Sequence, residues 1–261
     1  MLFFDPVLSG NYKRSCASCH RSQKGFSDQR AASRSFVFTN NLTVNTPTLL
    51  GATRQRRFFH DGRTGSLNEV IRAVLTNPAE LNSSYEQAST RLSGSSDYRR
   101  WFWQFYRQAP SELTINNALI AYLRSLSPRS ATRRSGLPLS DSARAGQAVF
   151  AQSGCKTCHS GPFYRDGQQH ETAPGRRVRT PTLRNLPLTP PYLADGSAPT
   201  LEAVLNTPFH ARQRTISPAD IHRIMQFLKA IPLDTNNLTL RLPVGLPDIA
   251  NAPPRRIGGH Y

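Results

Sequence analysis

A chain of 261 residues, 38% hydrophobic, is long enough for one large or two small domains with real cores, and its composition is that of a globular protein. The net charge of +17 comes almost wholly from arginines scattered in pairs and triples, such as Arg54, Arg56 and Arg57, with no nucleic-acid-binding signature beside them. Nucleic acid is therefore set aside in favour of a solvated basic surface or an acidic protein partner. No stretch approaches the roughly eighteen apolar residues of a membrane-spanning helix.

In chain order, Met1 to Pro6 is too short before its acid and proline to form the apolar region of an export signal. Cys16, Cys19 and His20 then form a Cys-x-x-Cys-His motif. The run Asn45-Thr46-Pro47-Thr48-Leu49-Leu50 leads to Asp61-Gly62-Arg63 and on to Ser66-Leu67-Asn68-Glu69-Val70-Ile71. Asn116 to Ser125 carries apolar residues at helical spacing. Ser127 to Pro138 is polar and punctuated by proline, and residues 131–140 are taken as the linker between two halves.

Asp141 to Gln152 reads as a helix capped by Ser140 or Ser142, running into a second motif at Cys155, Cys158 and His159. Arg179-Thr180-Pro181-Thr182-Leu183-Arg184-Asn185 then leads to Asp195-Gly196-Ser197 and Pro199-Thr200-Leu201-Glu202, an echo of the first half that indicates duplication. Ser217, Pro218 and Asp220 open a helix through Lys229, in which Met225 has the spacing of a core residue. Leu233 to Tyr261 is proline-rich and expected to run extended over the surface or back onto the first half. No segment alternates as a strand.

The two motifs use every cysteine. Two thiols three positions apart can each form a thioether to one haem vinyl group, leaving the adjacent imidazole beneath the ring to bind iron. A zinc site needs no histidine immediately after each pair, and a redox dithiol belongs in a strand-helix setting. Two covalent c-type haems are therefore expected, with some of the arginines pairing their propionates. The expected fold is mainly α with little or no strand: two cytochrome-c-like haem domains related by duplication, residues 1–130 and 141–261, the second with the extended tail. Thioether attachment follows export in bacteria, which implies the periplasm and an export signal removed from, or missed before, the given start.

The opening Leu2-Phe3-Phe4-Asp5-Pro6-Val7-Leu8, the segment Ser15 to His20, Phe59-His60-Asp61-Gly62-Arg63, Asn77-Pro78-Ala79-Glu80-Leu81 and Pro181 to Asn185 together resemble the bacterial di-haem cytochrome c peroxidases and their MauG-type relatives. The resemblance covers nearly the whole chain. It implies a peroxidatic haem on Cys16, Cys19 and His20, an electron-relaying haem on Cys155, Cys158 and His159, and His20 and His159 as proximal iron ligands. Glu80 matches the distal glutamate that moves a proton between the oxygens of hydrogen peroxide; by local pattern alone it is an ordinary acid after a helix. The resemblance also implies one calcium ion on the Asn45 side chain and the carbonyls of Thr189 and Pro191, where the bare sequence offers only a turn-forming asparagine.

Three departures from the family pattern bear on mechanism. The loop between Arg21 and Phe59 lacks the histidine that closes many resting peroxidases, and offers Phe36 and Phe38 instead. His60 replaces an inter-haem tryptophan and is read equally as a relay and as a structural hydrogen-bonder. The relay haem's usual methionine or tyrosine position falls at Pro208, so His210 is the candidate ligand. The expected activity is peroxide reduction with a small cytochrome c or cupredoxin as donor, an acidic one suiting the charge. The alternatives are MauG-like oxidation of a partner's side chain and a non-catalytic di-haem electron carrier.

Overall fold

The computed structural model describes residues 1–127, 139–173, 175–207, 210, 216–233 and 242–260. All of the expected linker except Leu139 and Ser140, together with Pro208, lies outside them. The described chain is mainly helical. Helix α1 (Cys16–Cys19) is the first motif itself, followed by α2 (Leu67–Thr76), α3 (Tyr85–Ser93), α4 (Ser96–Tyr106), α5 (Glu112–Ser125), α6 (Asp141–Gln152), α7 (Leu201–Leu205) and α8 (Pro218–Ala230).

Helices α2 to α8 begin alike. A serine or threonine (Ser66, Ser84, Ser95, Ser111, Ser140, Thr200 or Ser217) stands just before the helix and accepts a hydrogen bond from a backbone N–H in its first turn. Such a cap is worth about 1 kcal/mol over alanine, and acids in the first turns add a favourable interaction with the helix dipole. These local signals set where each helix starts even where the apolar stripe is broken.

Two apolar clusters form. In the first half, Leu2, Phe3, Phe4, Val7 and Leu8 pack with Phe26 and Leu50 against Leu92, Tyr98, Phe102, Ile115 and Leu119 of α3, α4 and α5. In the second, Phe150 of α6 packs with Ile221, Ile224, Phe227 and Leu228 of α8, with Met225 at its edge. Helices α6 and α8 touch most closely at Gly146, where an added Cβ would stand 1.9 Å from the Arg223 carbonyl oxygen.

The duplication seen in sequence recurs bond by bond. Phe58 N–H donates to Thr64 O at 2.7 Å around Asp61-Gly62, and Tyr192 N–H donates to Ala198 O at 2.7 Å around Asp195-Gly196. Phe59 and Leu193 hold the same left-handed conformation, at φ 62° and 69°. Thr48 and Thr182 each donate to a carbonyl just past their haem motif, that of Gly25 and that of Phe163.

One element was not foreseen: an antiparallel hairpin of β1 (Gln169–Ala173) and β2 (Arg176–Arg179). Apart from Ala173 and Val178 its residues are polar or charged, so no alternation marks it. It is held by main-chain pairing and by docking onto the first half, where Arg179 N–H donates to His60 O at 2.8 Å and the Gln169 amide donates to Asp61 O. The tail also returns to the first half. Gly258 N–H donates to Phe4 O at 2.7 Å, Ser18 Oγ donates to Gly258 O at 2.9 Å, and His260 N–H donates to Lys13 O at 2.7 Å.

Candidate functional site

At the first motif, a capping box on Ser15 and Ser18 winds Cys16–Cys19 into one helical turn, and the chain leaves it at His20. His20 Nδ1 lies 3.0 Å from the Phe26 carbonyl oxygen, so it carries the proton and donates, leaving the Nε2 lone pair unused. The second motif repeats this with His159 Nδ1 3.0 Å from Tyr164 O. Burial holds both rings neutral, pushing His159 down to about 4. A neutral imidazole oriented through Nδ1 is the form a haem iron requires. Burial also pushes the Cys16 thiol up to about 12 and Cys19 up to about 11, which is wrong for a redox dithiol that must ionise. The residues present therefore fit a covalent haem at each motif.

Cys158, Asp166 and His170 also bring ligand atoms within 4.8 Å of one another. That trio is not a metal cage in the haem-bearing protein. The sulfur is one a thioether consumes, and His170 Nε2 is already 2.6 Å from Asp166 Oδ2.

Glu80 lies in the turn after α2, half-buried. The Asn77 side-chain amide donates to Glu80 Oε1 at 2.8 Å, which fixes the carboxylate through one oxygen. Burial raises its pKa above the ordinary glutamate value, while Asn77 and the charges of Arg63 and Arg14 pull the other way. Its charge acts on Cys16 and Cys19, so the fold brings it to the first motif. Phe36 N–H donates to Ala79 O at 2.7 Å, tying the histidine-free loop to the same turn.

Arg14, which the sequence reading passed over, is also at this site. It is 3% exposed, its Nη1 is 3.5 Å from Cys19 Sγ, and its guanidinium lies 4.3 Å from the centre of the Phe38 ring. The signal for it was its place two residues before Cys16. The imidazole of His260, from the tail, also meets Phe38, edge-on with ring centres 6.3 Å apart.

His210 packs against His159 with ring centres 6.2 Å apart and planes inclined by 30°. Two metal–imidazole bonds of roughly 2 Å each, with a ring radius of roughly 1 Å at either end, span the same distance. Burial lowers the pKa of His210, which keeps it neutral.

His60, Asn45 and Pro191 come together between the halves. His60 Nε2 is 2.7 Å from Asn45 O, and the Asn45 side-chain amide donates to Pro191 O at 2.8 Å and to Arg30 O at 3.2 Å. The two carbonyls thus converge on one point, as they would on a hard cation, with the amide nitrogen satisfying them. Thr189 ends a short turn, with its amide and hydroxyl both directed at Leu186 O. None of these three residues supplies a negative charge.

The family profile of di-haem cytochrome c peroxidases matches residues 1–135. A cytochrome c551 peroxidase of Nitrosomonas europaea is 29% identical, over 98% of this chain and 84% of its own length. The methylamine utilization protein MauG of Methylorubrum extorquens is 31% identical, over 78% of this chain and 65% of its own. Among solved structures, the diheme peroxidase BthA of Burkholderia thailandensis superposes with TM-score 0.74 at 20% identity, covering 97% of this chain and 88% of that one. A MauG-like protein associated with microbial copper homeostasis superposes with TM-score 0.79 at 22% identity, covering 91% and 89%. Matched over more than half its length by the family profile, and carrying two Cys-x-x-Cys-His motifs with matching histidine geometry, the chain belongs to the di-haem cytochrome c peroxidase family, a family of oxidoreductases.

Proposed function

We propose that the chain reduces hydrogen peroxide to water at a haem held by Cys16, Cys19 and His20. Electrons arrive from a small redox protein through a second haem held by Cys155, Cys158 and His159. The observation that carries this reading is Glu80, held by Asn77 and near enough to the first motif for its charge to act on Cys16 and Cys19. Haem bound at these motifs supplies an iron that exchanges electrons one at a time. What the chain supplies is proton handling. Glu80 as carboxylate takes the proton of one peroxide oxygen and delivers it to the other, so that oxygen leaves as water. Asn77 holds one carboxylate oxygen still, and the charges of Arg63 and Arg14 oppose the effect of burial and favour the ionised form.

His20 and His159 are read as proximal ligands and His210 as the second ligand of the electron-transfer haem. An imidazole in place of methionine lowers that haem's potential. His60 is read as a structural bridge, since its carbonyl accepts from Arg179 N–H of the second half while its ring is held by Asn45 O of the first. Calcium, where bound, would use Asn45 with the carbonyls of Thr189 and Pro191. An acidic donor cytochrome or cupredoxin suits the net charge of +17, and thioether chemistry suits the periplasm. No helix among the described residues is long and apolar enough to cross a membrane.

The test is the resting ferric holoprotein. A high-spin signal and rapid reaction with peroxide are expected, and Glu80→Gln should slow that reaction about 100-fold or more. Absence of both the signal and the reaction would leave an electron carrier. An unchanged rate in Glu80→Gln would remove Glu80 from the mechanism.

A further inference from the structure

The loop that leaves each haem motif carries an aspartate two positions past the carbonyl that holds the histidine: Phe26-Ser27-Asp28 after His20, and Tyr164-Arg165-Asp166 after His159. Both loops return that carboxylate to the motif they have just left. Burial is the largest influence on both imidazoles. The carbonyl and the aspartate of the same loop oppose it, Asp28 at His20 and Asp166 at His159, while His210 adds to it at His159. Each aspartate also reaches a thioether-forming sulfur. Ser33 stands between Cys19 and Asp28 and donates to Asp28 Oδ2 at 2.6 Å, and the Cys158 sulfur lies within 4.8 Å of the Asp166 carboxylate.

What surrounds the two carboxylates differs. Asp28 is 5% exposed, and its side chain accepts from Ser33 Oγ and from the Arg30 N–H at 3.1 Å, both neutral donors. Among the described residues, no ion pair involves it. Two cations lie nearby. The Arg14 guanidinium is spent on the carbonyls of Arg34 and Ser35, and Lys24 Nζ donates to the main-chain carbonyl of Asp28 at 3.0 Å. Asp166 instead holds His170 Nε2 at 2.6 Å, a ring that can carry positive charge, and the Gln168 N–H at 2.9 Å, with Thr180 approaching. Burial pushes Asp166 up, and these partners more than reverse it, so its carboxyl stays ionised.

A fixed negative charge withdrawn from water, beside the groups that bind an iron, favours the more positive, oxidised metal. We infer that Asp28 and Asp166 are a duplicated pair of positioning residues, each acting through the histidine and thioether of its own haem to lower that haem's reduction potential. The first haem feels the larger effect, because Asp28 lacks the histidine that offsets Asp166. The inference rests on His20 and His159 as iron ligands, and it deepens the proposed reaction with peroxide: the iron that must give up electrons is the one beside the uncompensated carboxylate.

The experiment uses the holoprotein with both haems and the variants Asp28→Asn and Asp166→Asn, which remove charge at nearly constant shape. The midpoint of each haem is read in a potentiometric titration followed through its own absorption. In Asp28→Asn the first haem's midpoint should rise, by about tenfold in its ferric-to-ferrous equilibrium or ~59 mV for one electron, with the second haem's midpoint as in the parent. In Asp166→Asn the second haem's midpoint alone should rise, by less. A shift confined to one haem is what a merely structural aspartate would not give. Unchanged midpoints in variants that keep the parent's spin states, or equal shifts of both haems in one variant, overturn the inference. A rise in Asp166→Asn as large as that in Asp28→Asn removes the offset assigned to His170. Asp166 is the more accessible of the two, so its variant carries the test where Asp28→Asn fails to fold. Shifted midpoints in a protein inert to peroxide would keep the pair and remove the proposed reaction.

Discussion

An imidazole declares its use by which nitrogen keeps the proton. At His20 and His159 Nδ1 keeps the proton and donates it in a hydrogen bond to a backbone carbonyl, so each ring presents Nε2, and the adjacent cysteines define what it is presented to. That much was legible in the sequence because a Cys-x-x-Cys-His motif is short, contiguous and self-contained. The partners that make side chains competent are not contiguous. His210 becomes a ligand candidate only when it stands opposite His159, 51 positions away in sequence. Replacing His210 by alanine should convert the low-spin signal of the second haem to high-spin, read by electron paramagnetic resonance; a retained low-spin signal would assign the ligand elsewhere. Glu80 supports a prediction in pH. Burial raises its pKa, and the carboxylate is the working form, so the rate of reaction with peroxide should fall as pH drops through a value above the ordinary glutamate range. In Glu80→Gln that acid limb should vanish along with most of the rate, which a stopped-flow pH profile would show.

At the scale of elements, α6 and α8 were readable from their caps and apolar spacing, and both start where the serine signals put them. Helices α3 and α4 were harder. Tyr85–Ser93 is mostly polar, and the aromatic residues of Ser96–Tyr106 spread around the helix, leaving Trp103 and Phe105 exposed, so periodicity understates what capping specifies. The hairpin is invisible to pattern reading because its stability comes from where it docks rather than from its own side chains. The contact of α6 with α8 depends on one missing methyl group. Gly146→Ala puts a carbon against Arg223 O and Phe227 Cβ, which the backbones can relieve only by moving apart. Overpacking of this kind costs typically 1–3 kcal/mol, and thermal unfolding should show it, with the second haem's absorption reporting the loss first.

Over the whole molecule, the halves are joined by hydrogen bonds that neither half's pattern announces: Asn45 to Pro191, His60 to Arg179, Gln29 to Leu188. The duplicate plan could be read from sequence because each copy repeats its own local turn. The docking of the copies could not, because it rests on main-chain carbonyls that every residue possesses. The tail adds a buried ion pair, Arg255 Nε at 3.1 Å from Asp5 Oδ1, with both side chains almost wholly withdrawn from water and Tyr98 Oη donating to the same carboxylate at 2.7 Å. Arg255→Ala leaves Asp5 buried without its cation and should lower stability by about 3–5 kcal/mol in denaturant unfolding, whereas Arg256→Ala, at an exposed neighbouring position, should change it far less.

The tail also bears on the order in which the protein is completed. Ser18, between the two cysteines of the first motif, is bonded to Gly258, 240 positions downstream, and Gly259 passes so close that a Cβ would stand 2.5 Å from Ser18 Oγ. At the second motif His159 is oriented by the carbonyl of Tyr164, a few residues on. Closing so long a loop carries a larger entropy cost than closing a local turn, so the Ser18–Gly258 contact is expected to form after the turn of the first motif itself.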